Sequence, residues 1–149
     1  MTNRSKIKGL HHLAIRAKDF DQTLKFYTEA LDFSISHTWS LPEFNIREAA
    51  MLKSSDGHTF IEIFDRQANA PREGQAAAEG EEVRTGALLH LAISVENAKA
   101  AYDRCLEAGA RSCIEPMQLS LGNPAVIVNN SLVYSPNGEV IEFIEGTPF

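Results

Sequence analysis

Four residues in this chain are of types that could do chemistry together: His12, Glu62, His90 and Glu142. Two imidazoles and two carboxylates form a sound ligand set for a divalent first-row cation, and two anionic oxygens balance its charge. Each lies among apolar neighbours, in His12-Leu13-Ala14-Ile15, Phe60-Ile61-Glu62-Ile63, His90-Leu91-Ala92-Ile93 and Val140-Ile141-Glu142-Phe143. An ionised carboxylate in such company is costly to bury unpaired, and a shared cation would remove that cost. A lone histidine in a strand is more often a hydrogen-bonded structural residue than a ligand. These four stand out because they recur as matched pairs.

The recurrence belongs to an internal duplication. His12-Leu-Ala-Ile returns as His90-Leu-Ala-Ile at an offset of 90 − 12 = 78, and Glu29-Ala30 returns as Glu107-Ala108 at the same offset. The glutamates lie 142 − 62 = 80 apart. In each copy a capping-type residue, Asp19 or Asn97, precedes a helical pattern. Phe20, Leu24, Tyr27 and Leu31 make the first apolar stripe, and Ala98, Ala101, Tyr102, Cys105 and Leu106 the second. Asp19 with Gln22 resembles a capping box. Gly109 suits the residue just past the second helix, where the first copy has Asp32 instead.

Strands are expected over 34–39 and 46–52, and over 111–114 and 125–134 in the second copy. Asp56-Gly57 and Asn137-Gly138 then turn into the β-rich runs that carry Glu62 and Glu142. The pattern is β-α-β-β-β, twice. It predicts an α+β fold in one domain, 1–149, made of module 8–65 and module 87–147. An Ala-, Glu- and Gly-rich linker or lid, 66–86, joins them.

Side chains alternate across a strand, so parity assigns faces. Leu89, Leu91, Ile93 and Val95 form an apolar face suited to lie under a helix, opposite His90, Ala92 and Ser94. His12, Ala14 and Arg16 share one face of the first strand; Ile61 and Ile63 oppose Glu62, and Ile141 and Phe143 oppose Glu142. All four candidate ligands therefore project away from the helix-packing side.

Bulk properties narrow the partners. The 149 residues carry a formal net charge of −6 and no basic cluster, which disfavours nucleic acid. No apolar run could span a bilayer or serve as a secretory signal, so a cytoplasmic protein with no membrane role is expected. Cys105 and Cys113 have neither disulfide-framework nor zinc-ribbon spacing and read as reduced thiols.

The segments His12-Leu-Ala-Ile-Arg-Ala-Lys-Asp19 with Phe26-Tyr27, Phe60-Ile-Glu62-Ile, His90-Leu-Ala-Ile-Ser-Val95 and Ser135-Pro-Asn-Gly-Glu-Val-Ile-Glu142-Phe together resemble the vicinal oxygen chelate superfamily. That superfamily includes glyoxalase I, methylmalonyl-CoA epimerase, extradiol dioxygenases and fosfomycin-resistance enzymes. The resemblance implies paired modules whose mixed sheet curls around one divalent ion (Zn, Ni, Co, Mn or Fe), with His12, Glu62, His90 and Glu142 as ligands. It also implies a homodimer, with the ligands drawn from one chain or from two.

A carboxylate at Glu62, where dioxygenases and fosfomycin-type enzymes carry only two His and one Glu, points to the glyoxalase I and epimerase branch. The implied chemistry is that of a lyase or isomerase acting on an α-oxygenated carbonyl compound or its thiol adduct, by proton transfer through an enediolate. Glu142 is the first choice of base and Glu62 the second. Arg16 matches an arginine that pairs with a glutathione carboxylate in glyoxalase I. Glu48 matches the second acid/base of epimerases. The segment after Glu62, Ile-Phe-Asp-Arg-Gln, departs from the glyoxalase I pattern. Epimerase, dioxygenase and metal-free sequestering protein of bleomycin-resistance type are the alternatives. His37 and Trp39 either line the cavity or pack; His11 and His58 have no motif support.

Overall fold

A computed structural model describes residues 7–70, 80–81, 88–146 and 149. One unit follows another: β1 (His12–Arg16), α1 (Phe20–Glu29), β2 (Ser34–Leu41), β3 (Ile46–Lys53) and β4 (Phe60–Phe64), then β5 (Leu91–Val95), α2 (Ala98–Glu107), β6 (Arg111–Leu121), β7 (Val126–Tyr134) and β8 (Val140–Glu145). The strands order as β1-β4-β3-β2 and β5-β8-β7-β6. In each sheet the first and last strands of the unit pair in parallel and the other pairs are antiparallel. This is the expected α+β fold of paired βαβββ modules. The hydrogen bonding divides it into two four-stranded sheets that do not close, in place of one continuous curled sheet.

Local chemistry sets the element ends. The Asp19 carboxylate accepts from Gln22 N at 2.9 Å and the Asn97 amide oxygen from Ala100 N at 2.8 Å. Each cap contributes about 1 kcal/mol. Past α2, Gly109 takes the left-handed backbone at φ 99°, whereas past α1 Asp32 takes it itself at φ 58°. The Asp32 carboxylate is gripped by Arg104 of α2, with Nη1 at 2.9 Å and Nη2 at 2.7 Å. Strand β6 runs to Leu121, well past the expected 114, because an edge strand tolerates Pro116 where the register shifts between Ile114 and Met117.

The helix-facing sets of both sheets merge into a single core. Phe26, Tyr27, Leu52, Ile61 and Ile63 from the first module join Tyr102, Cys105, Val133, Ile141 and Phe143 from the second. Asn137, in the β7–β8 turn, bolts the modules together. Its Oδ1 accepts from Lys18 N at 2.6 Å, and its Nδ2 donates to Arg16 O at 2.9 Å and to Glu139. Tyr27 Oη donates to Glu139 Oε2 at 3.4 Å; burial, then the neighbouring carboxylate, pushes the phenol pKa well above its ordinary value.

The start of the expected linker is fastened to the first module. Ala68 is buried, Asn69 N donates to Phe44 O at 2.8 Å, and Asn45 Nδ2 to Gln67 O at 3.0 Å. Of the rest of that tract, 71–79 and 82–86 lie outside the described residues, as does residue 87 at the start of the second module. Among the described residues no helix is long and apolar enough to cross a membrane.

Candidate metal centre

Register places the first pair on neighbouring strands. His12 of β1 lies opposite Phe60 of β4, so Glu62 is its diagonal neighbour on the same face, within reach of long side chains. His12 Nε2 meets Glu62 Oε2 at 2.9 Å. The other nitrogen, Nδ1, lies 2.9 Å from His11 Nδ1, and the His11 ring stacks on Phe60 with centroids 5.5 Å apart. One nitrogen of that contact must carry the proton. Were His12 Nε2 to hold a cation, His12 Nδ1–H would donate and His11 Nδ1 accept.

The second module repeats the arrangement. His90 Nε2 meets Glu142 Oε2 at 3.2 Å. In both pairs the carboxylate is the sheltered member, 15 % and 16 % exposed, and the imidazole the open one, 36 % and 41 %. A row across the second sheet runs Ala92, Glu142, Leu132, Ile114, and the next runs Ser94, Ile144, Asn130, Met117. From that second row Asn130 Nδ2 donates to Glu142 Oε1 at 2.7 Å. Asn130 Oδ1 is left buried without a partner. An orphan of that kind costs about 1–3 kcal/mol.

The donor types suit a divalent cation, but one chain presents them two and two. Among the described residues no three His, Cys, Asp or Glu side chains converge. The reason lies in the core. The two helix-facing sides are buried against each other's neighbourhood, so Glu62 and Glu142, on the opposite parity of their strands, face away from that shared core. Convergence of all four within a single chain, the simplest form of the sequence expectation, is not what the fold produces.

The remaining candidates distribute as follows. Arg16 shares the His12 face, and its Nη1 donates to Arg66 O at 2.7 Å and Asp65 O at 3.4 Å. Glu48 is exposed on β3 with the parity of Ala50 and Leu52, while Met51 and Ala49 share the face of Glu62. His37 pairs with Met51 and Trp39 with Ala49, which puts both on the Glu62 side of the sheet. Their rings stack at 5.9 Å, and Trp39 meets Phe64 edge-on at 6.3 Å.

Asp65 organises this end of the sheet. Its Oδ2 accepts from Arg47 N at 2.8 Å and Glu48 N at 3.1 Å, and its Oδ1 from Gln67 N at 2.9 Å. Burial alone would raise the Asp65 pKa, but the N–H groups of Glu48, Gln67 and Arg47 outweigh it and hold the carboxyl below the ordinary aspartate value. Sequence reasoning passed over Asn130 and Asp65. For Asn130 a signal existed: an amide in a β run at the parity of Leu132, the side that Glu142 faces.

Residues 9–143 match the family model described as the Glyoxalase/Bleomycin resistance protein/Dioxygenase superfamily. The chain belongs to that superfamily. A glyoxalase family protein from Enterococcus faecalis is 25 % identical with a TM-score of 0.63, over 93 % of this chain and 98 % of that one. Glyoxalase I from Zea mays is 19 % identical with a TM-score of 0.67, over 93 % of this chain and 46 % of that one, so this superfamily member spans about half its length. The fosfomycin resistance protein FosX from Listeria monocytogenes, solved with Mn(II) and sulfate, is 15 % identical with a TM-score of 0.62, over 95 % of each chain. No curated protein matches the chain.

Proposed function

We propose that the protein is a divalent-metal-dependent lyase or isomerase of glyoxalase I type, acting on an α-oxygenated carbonyl compound or its thiol adduct. We propose further that each site is completed between two copies, His12 and Glu62 of one meeting His90 and Glu142 of the other. The observation that carries this reading is the repeated His–Glu pair, built at equivalent positions of both modules with matching exposure. Each pair alone holds two donors and one negative charge. Two halves together supply two nitrogens, two oxygens and the charge that a dication needs.

Exposed apolar side chains support the pairing. Ile114 and Met117, 43 % and 45 % exposed, end the rows that contain Glu142 and Asn130. Apolar surface around an incomplete polar site is what a second copy would cover.

A divalent cation at that meeting point supplies Lewis acidity, which favours loss of the proton from the carbon beside a substrate carbonyl. The chain's own residues do the rest. His12 and His90 hold the site, each orienting the carboxylate beside it. A carboxylate that swings clear of its imidazole accepts the substrate proton and returns it to the neighbouring carbon, which is the net change of an isomerase. Arg16, on the face of His12, is the residue we assign to an anionic group of the substrate. His37 and Trp39 form an aromatic floor on the same side as Glu62.

The test is the hemithioacetal of methylglyoxal and glutathione, supplied to metal-stripped protein before and after addition of Ni(II), Co(II), Zn(II), Mn(II) or Fe(II). Metal-dependent conversion, with solvent deuterium entering the product, is expected. Metal-dependent oxygen uptake would transfer the protein to the dioxygenase branch. Failure to bind any of the five ions would sink the enzymatic reading in favour of a sequestering protein.

A further inference from the structure

The two half-sites are not equivalent, and the difference lies on one side chain. Glu142 Oε1 accepts from Asn130 Nδ2 at 2.7 Å while its Oε2 faces His90, so both oxygens are engaged. Glu62 has His12 as its one side-chain partner among the described residues. The duplication explains the contrast. Asn130 lies opposite Ile144 in its sheet as Ala49 lies opposite Phe64 in the other, so the position that carries an amide in the second module carries a methyl in the first.

The orientation of the Asn130 amide follows from chemistry. The amide nitrogen is the Asn130 atom that faces Glu142 Oε1 and donates to it, so the amide oxygen points elsewhere. That oxygen is buried and has no donor, and Asn130 itself is only 6 % exposed. The fold therefore tolerates an unsatisfied acceptor in order to put an N–H on Glu142.

We infer that Asn130 is a positioning residue that fastens the Glu142 carboxylate in the orientation in which it would hold a divalent cation, which would leave Glu62, the less restrained carboxylate, to take and return the substrate proton. This inference rests on the proposed metal-dependent reading and reverses the order of the two bases that family resemblance suggests. A hydrogen bond to a ligand's second oxygen restricts its rotation and so acts through metal affinity.

The experiment is Co(II) titration, followed by its visible absorption, of the full chain and the variants Asn130→Ala, Glu142→Ala, Glu62→Ala and the doubles N130A/E142A and N130A/E62A. Asn130→Ser, which is too short to reach Glu142, serves should the alanine variant fail to fold. Loss of Asn130 is expected to weaken Co(II) binding roughly 10- to 100-fold, the range for outer-shell partners. In the Glu142→Ala background the same change should be silent to within about twofold, while in the Glu62→Ala background the full loss should persist. Equal losses in both backgrounds, or none in the wild-type background, would overturn the role of Asn130 and leave the metal reading standing. Wild-type chain that takes no Co(II) would overturn both.

Discussion

Mixing two dead variants gives the sharpest test of where the ligands meet. Take one chain with His12→Ala and Glu62→Ala, and a second with His90→Ala and Glu142→Ala. Each loses the donors of one module and keeps the other pair, joined at 2.9 Å in the first module or 3.2 Å in the second. In a two-fold dimer whose sites each take the first module of one copy and the second module of its partner, every homodimer of either variant has two half-sites and no complete one. A heterodimer has one site with all four donors and one with none. Random pairing makes about half the dimers mixed, so about a quarter of the wild-type metal capacity should return.

The assay is Co(II) bound per chain, on the two variants purified separately, after co-expression, and on the isolated heterodimer selected by two different tags. The heterodimer should bind about half the wild-type amount. Zero recovery in the isolated heterodimer, with wild type binding normally, would refute the division of the site between copies. The proposed division rests on the core, which uses the helix-facing sides of both sheets and leaves the two His–Glu pairs on the opposite faces without bringing them together.

Other consequences of the fold are open to simple measurements. Asn137→Ala removes the acceptor for Lys18 N and the donor to Arg16 O, so it should cost about 2 kcal/mol and lower Tm by about 4–8 °C in thermal unfolding. An unchanged Tm would show that the modules do not depend on this bolt. Asp65→Asn should destabilise by about 1–2 kcal/mol at neutral pH. Because the folded-state pKa of Asp65 is depressed, its contribution is full above the ordinary aspartate value and fades as pH falls through the lower folded value. Urea unfolding at pH 7 and in acid should therefore find the variant and wild type converging in acid. Burial pushes the Cys105 thiol up to about 11, so a disulfide reagent at pH 8 should leave Cys105 unmodified until the protein unfolds, as peptide mapping would show.

What the sequence determined by itself was local and periodic. The strand alternation at 10–16, 60–64 and 140–144 sorted His12, Glu62 and Glu142 onto the faces opposite the helices, whereas the expected strand 88–95 begins only at Leu91, leaving His90 just before it and Leu89 exposed instead of under a helix. The 78-residue offset supplied the two modules, and Asp19 and Asn97 marked where both helices begin. These features depend on backbone geometry and near neighbours, which a single stretch of chain encodes. Strand β6 ran past its predicted end because edge position, a tertiary property, let Pro116 stay within it.

Only the tertiary structure decided how the two faces with ligand-type residues are disposed. Parity says which side of a strand a residue takes, but not which side of one module will be buried against the other. That choice was made by Tyr27, Ile61, Cys105 and Phe143 entering one core, with Asn137 and the Asp32–Arg104 pair locking the junction. Apolar area removed from water fixed the relation of the modules. The polar pairs took the opposite faces, with their carboxylates sheltered and their imidazoles half-open.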